Sequence, residues 1–149
     1  MMGIEARLAE DLKQVMKSGD KVALEAIRGV RAQIQLAKTS RDESLSEERV
    51  IEVLAREVKK RRESIALYEQ GNRRDLADNE KREIAVIESY LPAALSDGEI
   101  DSIIAEAIGE TGAQAVKDMG KVMAFLMPKI KGRADGRAVQ ERVKKKLGG

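Results

Sequence analysis

The chain has no cysteine, no histidine and no tryptophan, and its only aromatic residues are Tyr68, Tyr90 and Phe125. Each absence closes off chemistry. Without cysteine there is no disulfide and no thiolate, and without histidine there is no imidazole to act as base or metal ligand. Zinc sites draw on those two residue types in nearly every case, so structural zinc is excluded. Both prolines, Pro92 and Pro128, mark places where a helix is expected to stop or be disturbed. No stretch approaches ~18 consecutive apolar residues, so no membrane span is expected. Glu5 and Arg7 interrupt the N-terminus before the apolar run of a signal peptide can form. The expectation is a soluble, cytoplasmic protein.

What remains is aliphatic and charged. Hydrophobic residues make up 42% of the 149 and charged residues 36%, against roughly 25% charged in ordinary soluble domains. The core must come from Leu, Ile, Val, Ala and Met on amphipathic helices. Ile4, Leu8, Leu12, Val15 and Met16 mark a first helix that ends at Gly19, a natural left-handed cap, with Asp20 capping the next. Leu24, Ile27, Val30 and Ile34 give the second its inner face. A polar turn is expected from Thr39 to Leu45. A long third helix opens at Ser46 and carries Val50, Leu54, Val58, Ile65 and Tyr68, interrupted by Arg61, which is expected to snorkel along the core edge. Arg56, Lys59, Lys60, Arg61 and Arg62 form a basic cluster, which pairing with acids on the same helix is sufficient to explain. Gly71 is expected to end that helix and Asn72 to cap the fourth, whose inner residues are Leu76, Ile84, Ile87 and Leu91. No segment shows convincing period-2 alternation, so the fold class is all-α.

Residues 92–96 form the best boundary, dividing a helical N-terminal domain of about four helices (1–95) from a three-helix domain (96–149). Ser96 and Glu99 form a capping box. Ile100, Ile103, Ile104, Ala107 and Ile108 then follow the i, i+3, i+4, i+7, i+8 pattern of one helical face, with Gly109 and Gly112 expected to end it. Asp118 sits where an N-cap would, ahead of Met119, Val122, Met123, Leu126, Met127 and Ile130. Pro128 is expected to bend or fray that helix near its end. After a glycine-bearing turn, Asp135 caps a last helix with the narrow stripe Val139, Val143 and Leu147.

Charge is distributed unevenly along this second half. From Lys117 to Gly149 ten basic residues face three acidic ones, a surplus of seven positive charges, whereas residues 96–116 carry five acids and no base. A cationic end of that kind suits polyphosphate, RNA above all. The competing explanation is that lysines near a helix C-terminus complement its dipole and keep the surface wet.

Several motifs, in order along nearly the whole chain, resemble the YqeY family. They are Lys59-Lys-Arg-Arg-Glu-Ser-Ile65, Tyr68, Arg73-x-Asp75-Leu76, Tyr90-Leu-Pro92, Met119-Gly-Lys-Val-Met123 and Pro128-Lys-Ile-Lys-Gly-Arg-Ala-Asp135. The last two match the GatB/YqeY motif, shared with the tail domain of the B subunit of glutamine-dependent tRNA amidotransferase. One departure is local: Gly71-Asn72-Arg73 stands where Ala-Gly-Arg is more usual, which bears on a turn. The resemblance implies a helical N-terminal domain joined to a three-helix tail, and a link to tRNA. It also brings a family-level label of carbon–nitrogen ligase activity with glutamine as amido-nitrogen donor.

Three functions follow. The first is a tRNA- or RNA-binding accessory module in which Lys121, Lys129, Lys131, Arg133, Arg137, Lys144, Lys145 and Lys146 contact phosphates. Gly132 and Gly136 would let the turn approach the RNA backbone. With no aromatic in the turn, such binding is driven by phosphate and shape rather than by stacking. The second is an amidotransferase in its own right, for which the chain offers neither an activated nucleophile nor a P-loop; it would need a catalytic partner. The third is a scaffold whose N-terminal helices dock a protein. The expected partners are tRNA and an amidotransferase subunit or another protein, with no membrane, no metal and no cofactor, and the chain itself is expected to be a monomer.

Overall fold

The computed structural model describes residues 2–38 and 44–149. Among the described residues it is entirely helical, with no strand. Backbone contacts divide the chain into two compact units, Met1–Pro92 and Ala93–Gly149.

The first unit holds α1 (Ile4–Ser18), α2 (Lys21–Ala37), α3 (Glu47–Gln70) and α4 (Arg74–Glu88). Gly19 adopts the left-handed conformation, φ 75°, and the Asp20 carboxylate accepts from the Ala23 N–H at 3.1 Å, so the α1–α2 break is built as its sequence suggests. The expected turn from Thr39 to Leu45 falls mostly outside the described residues; within them, Leu45 packs against the core. Leu8, Ile27, Val30, Ile34, Val50, Leu54 and Ile87 are all but fully buried and form the centre of that core.

The α3–α4 connection differs from the sequence reading. Gly71 has an ordinary φ of −82°, and the left-handed residue is Asn72, φ 57°. The Arg73 N–H bonds the Tyr68 carbonyl at 2.7 Å and the Asn72 N–H bonds the Glu69 carbonyl at 3.2 Å, the paired bonds of a Schellman ending with Asn72 at the reversing position. Asn72 therefore closes α3 instead of capping α4. It does so because asparagine tolerates the left-handed region better than other residues with a Cβ.

Arg61 also behaves differently. Its side chain is folded under α4, where Nη1 donates to Glu83 at 2.8 Å and to Glu80 at 3.1 Å. Arg62 reaches Glu88 at 3.0 Å and Lys81 reaches Glu69 at 3.1 Å. Of the basic cluster of α3, Arg61 and Arg62 are thus answered across the α3–α4 pair. Along α3 itself, among the described residues, Lys60 and the buried Glu57 meet at 3.6 Å. Burial raises the Glu83 pKa even with Arg61 beside it. Tyr90 is buried too; its hydroxyl donates to Asp11 while the Arg7 guanidinium lies 5.0 Å from its ring centre. Burial and then the Asp11 bond push that phenol well above its usual range.

The second unit holds α5 (Asp97–Thr111), a single 3-10 turn (Val116–Asp118), α6 (Met119–Ile130) and α7 (Gly136–Lys146). Ile104, Ala107, Val122, Leu126, Ile130, Val139 and Val143 form its core. Residues 93–95 belong here rather than to the first unit, because the Leu95 N–H bonds the Arg133 carbonyl at 2.8 Å and Arg133 Nε bonds the Ala93 carbonyl at 3.1 Å. No helix among the described residues is long and apolar enough to cross a membrane.

Candidate nucleic-acid interface

The candidate site is the α6–α7 hairpin with α5 beside it. The Ser96–Glu99 capping box that opens α5 is present, and its hydrogen bonds to Ser96 hold the Glu99 carboxyl below its ordinary range. Gly109 does not end α5. The helix runs on to Thr111, and Gly112, φ 67°, caps it, since Ile104 and Ala107 fix the preceding turns in the core. Asp118 does not cap α6 with its side chain. Its Oδ2 accepts from the Gln114 and Ala115 N–H groups at 3.0 and 3.3 Å, closing the 3-10 turn instead. Those bonds, the Gln114 one first, lower its pKa, with Lys121 and Lys117 adding to the effect.

Pro128 leaves α6 intact to Ile130. The Lys131 N–H still reaches the Met127 carbonyl at 3.1 Å. Proline removes one intrahelical donor, but Leu126 and Ile130 are both fully buried on either side of it and hold the last turn in place. In the turn that follows, Gly132 takes φ 73°, a conformation costly for any residue with a Cβ. The Asp135 carboxylate then accepts from the Arg137 N–H at 3.2 Å and caps α7.

Two close approaches show that α7 folds back along α6. A Cβ on Gly136 would lie 3.6 Å from Met127 Cε, and one on Gly149 would lie 2.7 Å from Val116 Cγ2. The start of α7 therefore meets the end of α6, and the end of α7 meets the turn before α6. An 11-residue helix is about 16 Å long. The sequence-predicted residues fall accordingly into two groups. Lys129, Lys131, Gly132, Arg133, Gly136 and Arg137 surround the turn, whereas Lys121, Lys144, Lys145 and Lys146 lie toward the opposite end.

Within these groups the cations are not equivalent. Lys129 bonds Glu106 of α5 at 2.9 Å and lies 4.6 Å from the Phe125 ring centre. Arg133 is half-buried and turned onto the Ala93 carbonyl. Lys121, Arg137, Lys144, Lys145 and Lys146 are exposed, with no carboxylate in ion-pair range among the described residues. The three consecutive lysines also occupy the last turn of α7, at the negative end of its dipole.

Sequence reasoning missed the part played by α5. Arg142 meets Asp97 at 2.6 Å and Asp101 at 3.0 Å, so α5 supplies carboxylates to both helices of the hairpin. The signal was present as an acidic helix directly preceding a basic segment, but the register that aligns them depends on tertiary packing. These pairs are solvent-exposed, and such pairs are each worth about 0–1 kcal/mol. Across residues 93–149 ten basic residues face eight acidic ones, while residues 1–92 hold 18 of each. The net +2 of the chain therefore resides in the second unit. Among the described residues no cluster of three or more acidic side chains is placed to hold a metal.

These features define an all-helical protein of two units whose second unit presents a basic helical hairpin flanked by an acidic helix. The chain belongs to the Yqey-like protein family, whose model matches residues 5–147. Among curated proteins it is similar to Altered inheritance of mitochondria protein 41, mitochondrial, of Pyrenophora tritici-repentis, with 29% identity over 95% of this chain and 80% of that protein. The protein of the same name from Kluyveromyces lactis is 32% identical over 78% of this chain and 68% of its own length.

Proposed function

We propose that the protein is a tRNA- or RNA-binding accessory module and that the α6–α7 hairpin binds the RNA through phosphates. The observation that carries this reading is that, within the α6–α7 hairpin, Lys121, Arg137, Lys144, Lys145 and Lys146 are exposed with no carboxylate in ion-pair range among the described residues. Their placement toward both ends of the hairpin suits two points of attachment on a folded backbone better than one deep pocket. No aromatic side chain lies in the turn, so readout of bases by stacking has no platform there. Any amide-transfer chemistry associated with the family would come from a catalytic partner, because the sequence offers neither an activated nucleophile nor a P-loop.

The test is filter binding of tRNA to the full chain across a range of salt. Removing one phosphate-binding cation should reduce the slope of log K against log salt by roughly 0.7–0.9. The combined substitution Lys144→Ala, Lys145→Ala and Lys146→Ala should therefore lower the slope by about two to three. A flat salt response in the unmodified chain would overturn the reading.

A further inference from the structure

We propose that α5 is an intramolecular competitor for RNA phosphate, holding Lys129 and Arg142 in reserve. This rests on the reading of the hairpin as an RNA surface. Glu106 binds Lys129 at 2.9 Å, and Asp97 and Asp101 clasp Arg142 from one side. All three carboxylates are at least half exposed, at 52%, 86% and 50%, so the clasps are weak and solvent-screened. They stand where an RNA phosphate would stand, presenting anionic oxygens to the same two cations. A carboxylate fixed on the same unit competes at high effective concentration. An isolated phosphate does not displace it. A polyanion that already engages the lysines at the end of α7 brings its neighbouring phosphates to the clasp at comparable effective concentration. The acidic helix thereby acts as a filter: it weakens binding of sparse anions and preserves binding of densely charged, folded nucleic acid.

The competing explanation is a general one, that removing any negative charge from the unit improves its field for RNA. Glu110 separates the two. It lies one turn beyond Glu106 on α5, is exposed, and has no ion-pair partner among the described residues. Glu106→Gln and Glu110→Gln therefore change net charge identically, but only the first releases a cation.

The experiment is tRNA filter binding against salt with the full chain and each variant. Glu106→Gln should tighten tRNA binding several-fold and steepen the salt slope by roughly one, with Glu110→Gln leaving the slope unchanged. Asp97→Asn with Asp101→Asn should give a second gain that Arg142→Ala removes. In the unmodified chain Arg142→Ala should weaken binding less than it does in the Asp97→Asn, Asp101→Asn variant, so the cycle is non-additive. Equal responses of the two glutamine variants, or a gain from the aspartate pair that survives Arg142→Ala, would overturn the inference while leaving the RNA reading intact. Salt-independent behaviour of every variant would overturn both.

Discussion

Replacing Arg61 by methionine removes a guanidinium while keeping most of the apolar stem packed, and the structure sets the expected cost. Arg61 is 16% exposed along its side chain, Glu80 19% and Glu83 8%. Removing one partner of a fully buried pair costs about 3–5 kcal/mol, whereas an exposed pair contributes about 0–1 kcal/mol. This network lies nearer the buried limit, but Arg61 Nε is itself buried without an acceptor. Losing that orphaned donor offsets about 1 kcal/mol or more. The net expectation is a loss of about 2 kcal/mol near neutral pH.

The loss should depend on pH in a defined direction. Burial already raises the Glu83 pKa and Arg61 opposes that rise, so Arg61→Met should raise it further. A carboxyl whose folded pKa exceeds its unfolded value contributes stability that is full below the unfolded pKa and disappears as pH rises through the folded one. The deficit of the variant should therefore be largest near neutrality and shrink as pH falls toward about 4.3, the ordinary glutamate value.

Tyrosine fluorescence during urea unfolding is the appropriate assay, because Tyr68 and Tyr90 both lie in Met1–Pro92 and the second unit contains only Phe125. With a urea dependence of about 1–3 kcal/mol/M, the midpoint should fall by about 1 M at neutral pH. A shift below about 0.3 M, or one of equal size at both pH values, would refute the account of Arg61 as the countercharge of two desolvated carboxylates.

Other outcomes are fixed by backbone geometry. Asn72→Gly relieves the left-handed strain at the α3–α4 turn and should raise the urea midpoint of the first unit, with a gain of about 0.5–1 kcal/mol. Gly109 and Gly112 form a matched pair on α5: neither has any atom within 4 Å of an added Cβ, but only Gly112 has positive φ. Gly109→Ala should stabilise by about 0.5–1 kcal/mol through helix propensity, and Gly112→Ala should destabilise by about 1–2 kcal/mol. Thermal melting followed by circular dichroism of the full chain reads both, and a change of the same sign in the two variants would contradict the assignment. The tRNA salt slope and the Glu106→Gln comparison complete the set.

Local signals made most of the fold legible. The stripe Ile100, Ile104 and Ala107, the Asp20 and Asp135 caps, and the Ser96–Glu99 box are all decided within one or two helical turns, where periodicity and hydrogen-bond chemistry speak directly. What escaped was decided between helices. Nothing near Arg61 in the sequence singles out Glu80 and Glu83, which lie 19 and 22 positions away. Asp11 and Tyr90, 79 positions apart, meet only once α1 and the end of α4 are packed. The candidate site was visible as a charge surplus, but its division along the hairpin was not, because total charge contains no distances. Gly109 misled for a related reason: a glycine near a helix end resembles a stop until burial in the preceding turns shows that the helix has reason to continue.

Met127 carries a separate consequence. With cysteine absent, the six methionines are the residues most open to oxidation by peroxide. Met2, Met16 and Met127 are exposed, 51%, 58% and 39%, and of these Met127 lies at a closure between helices, with its sulfur 3.8 Å from the place a Cβ on Gly136 would occupy. Conversion to the sulfoxide would put a polar oxygen into that seam and prise apart the start of α7 and the end of α6. Of the exposed methionines, oxidation of Met127 would thus be the one felt in helix packing, at the hairpin turn, and methionine sulfoxide reductase would be able to reverse it.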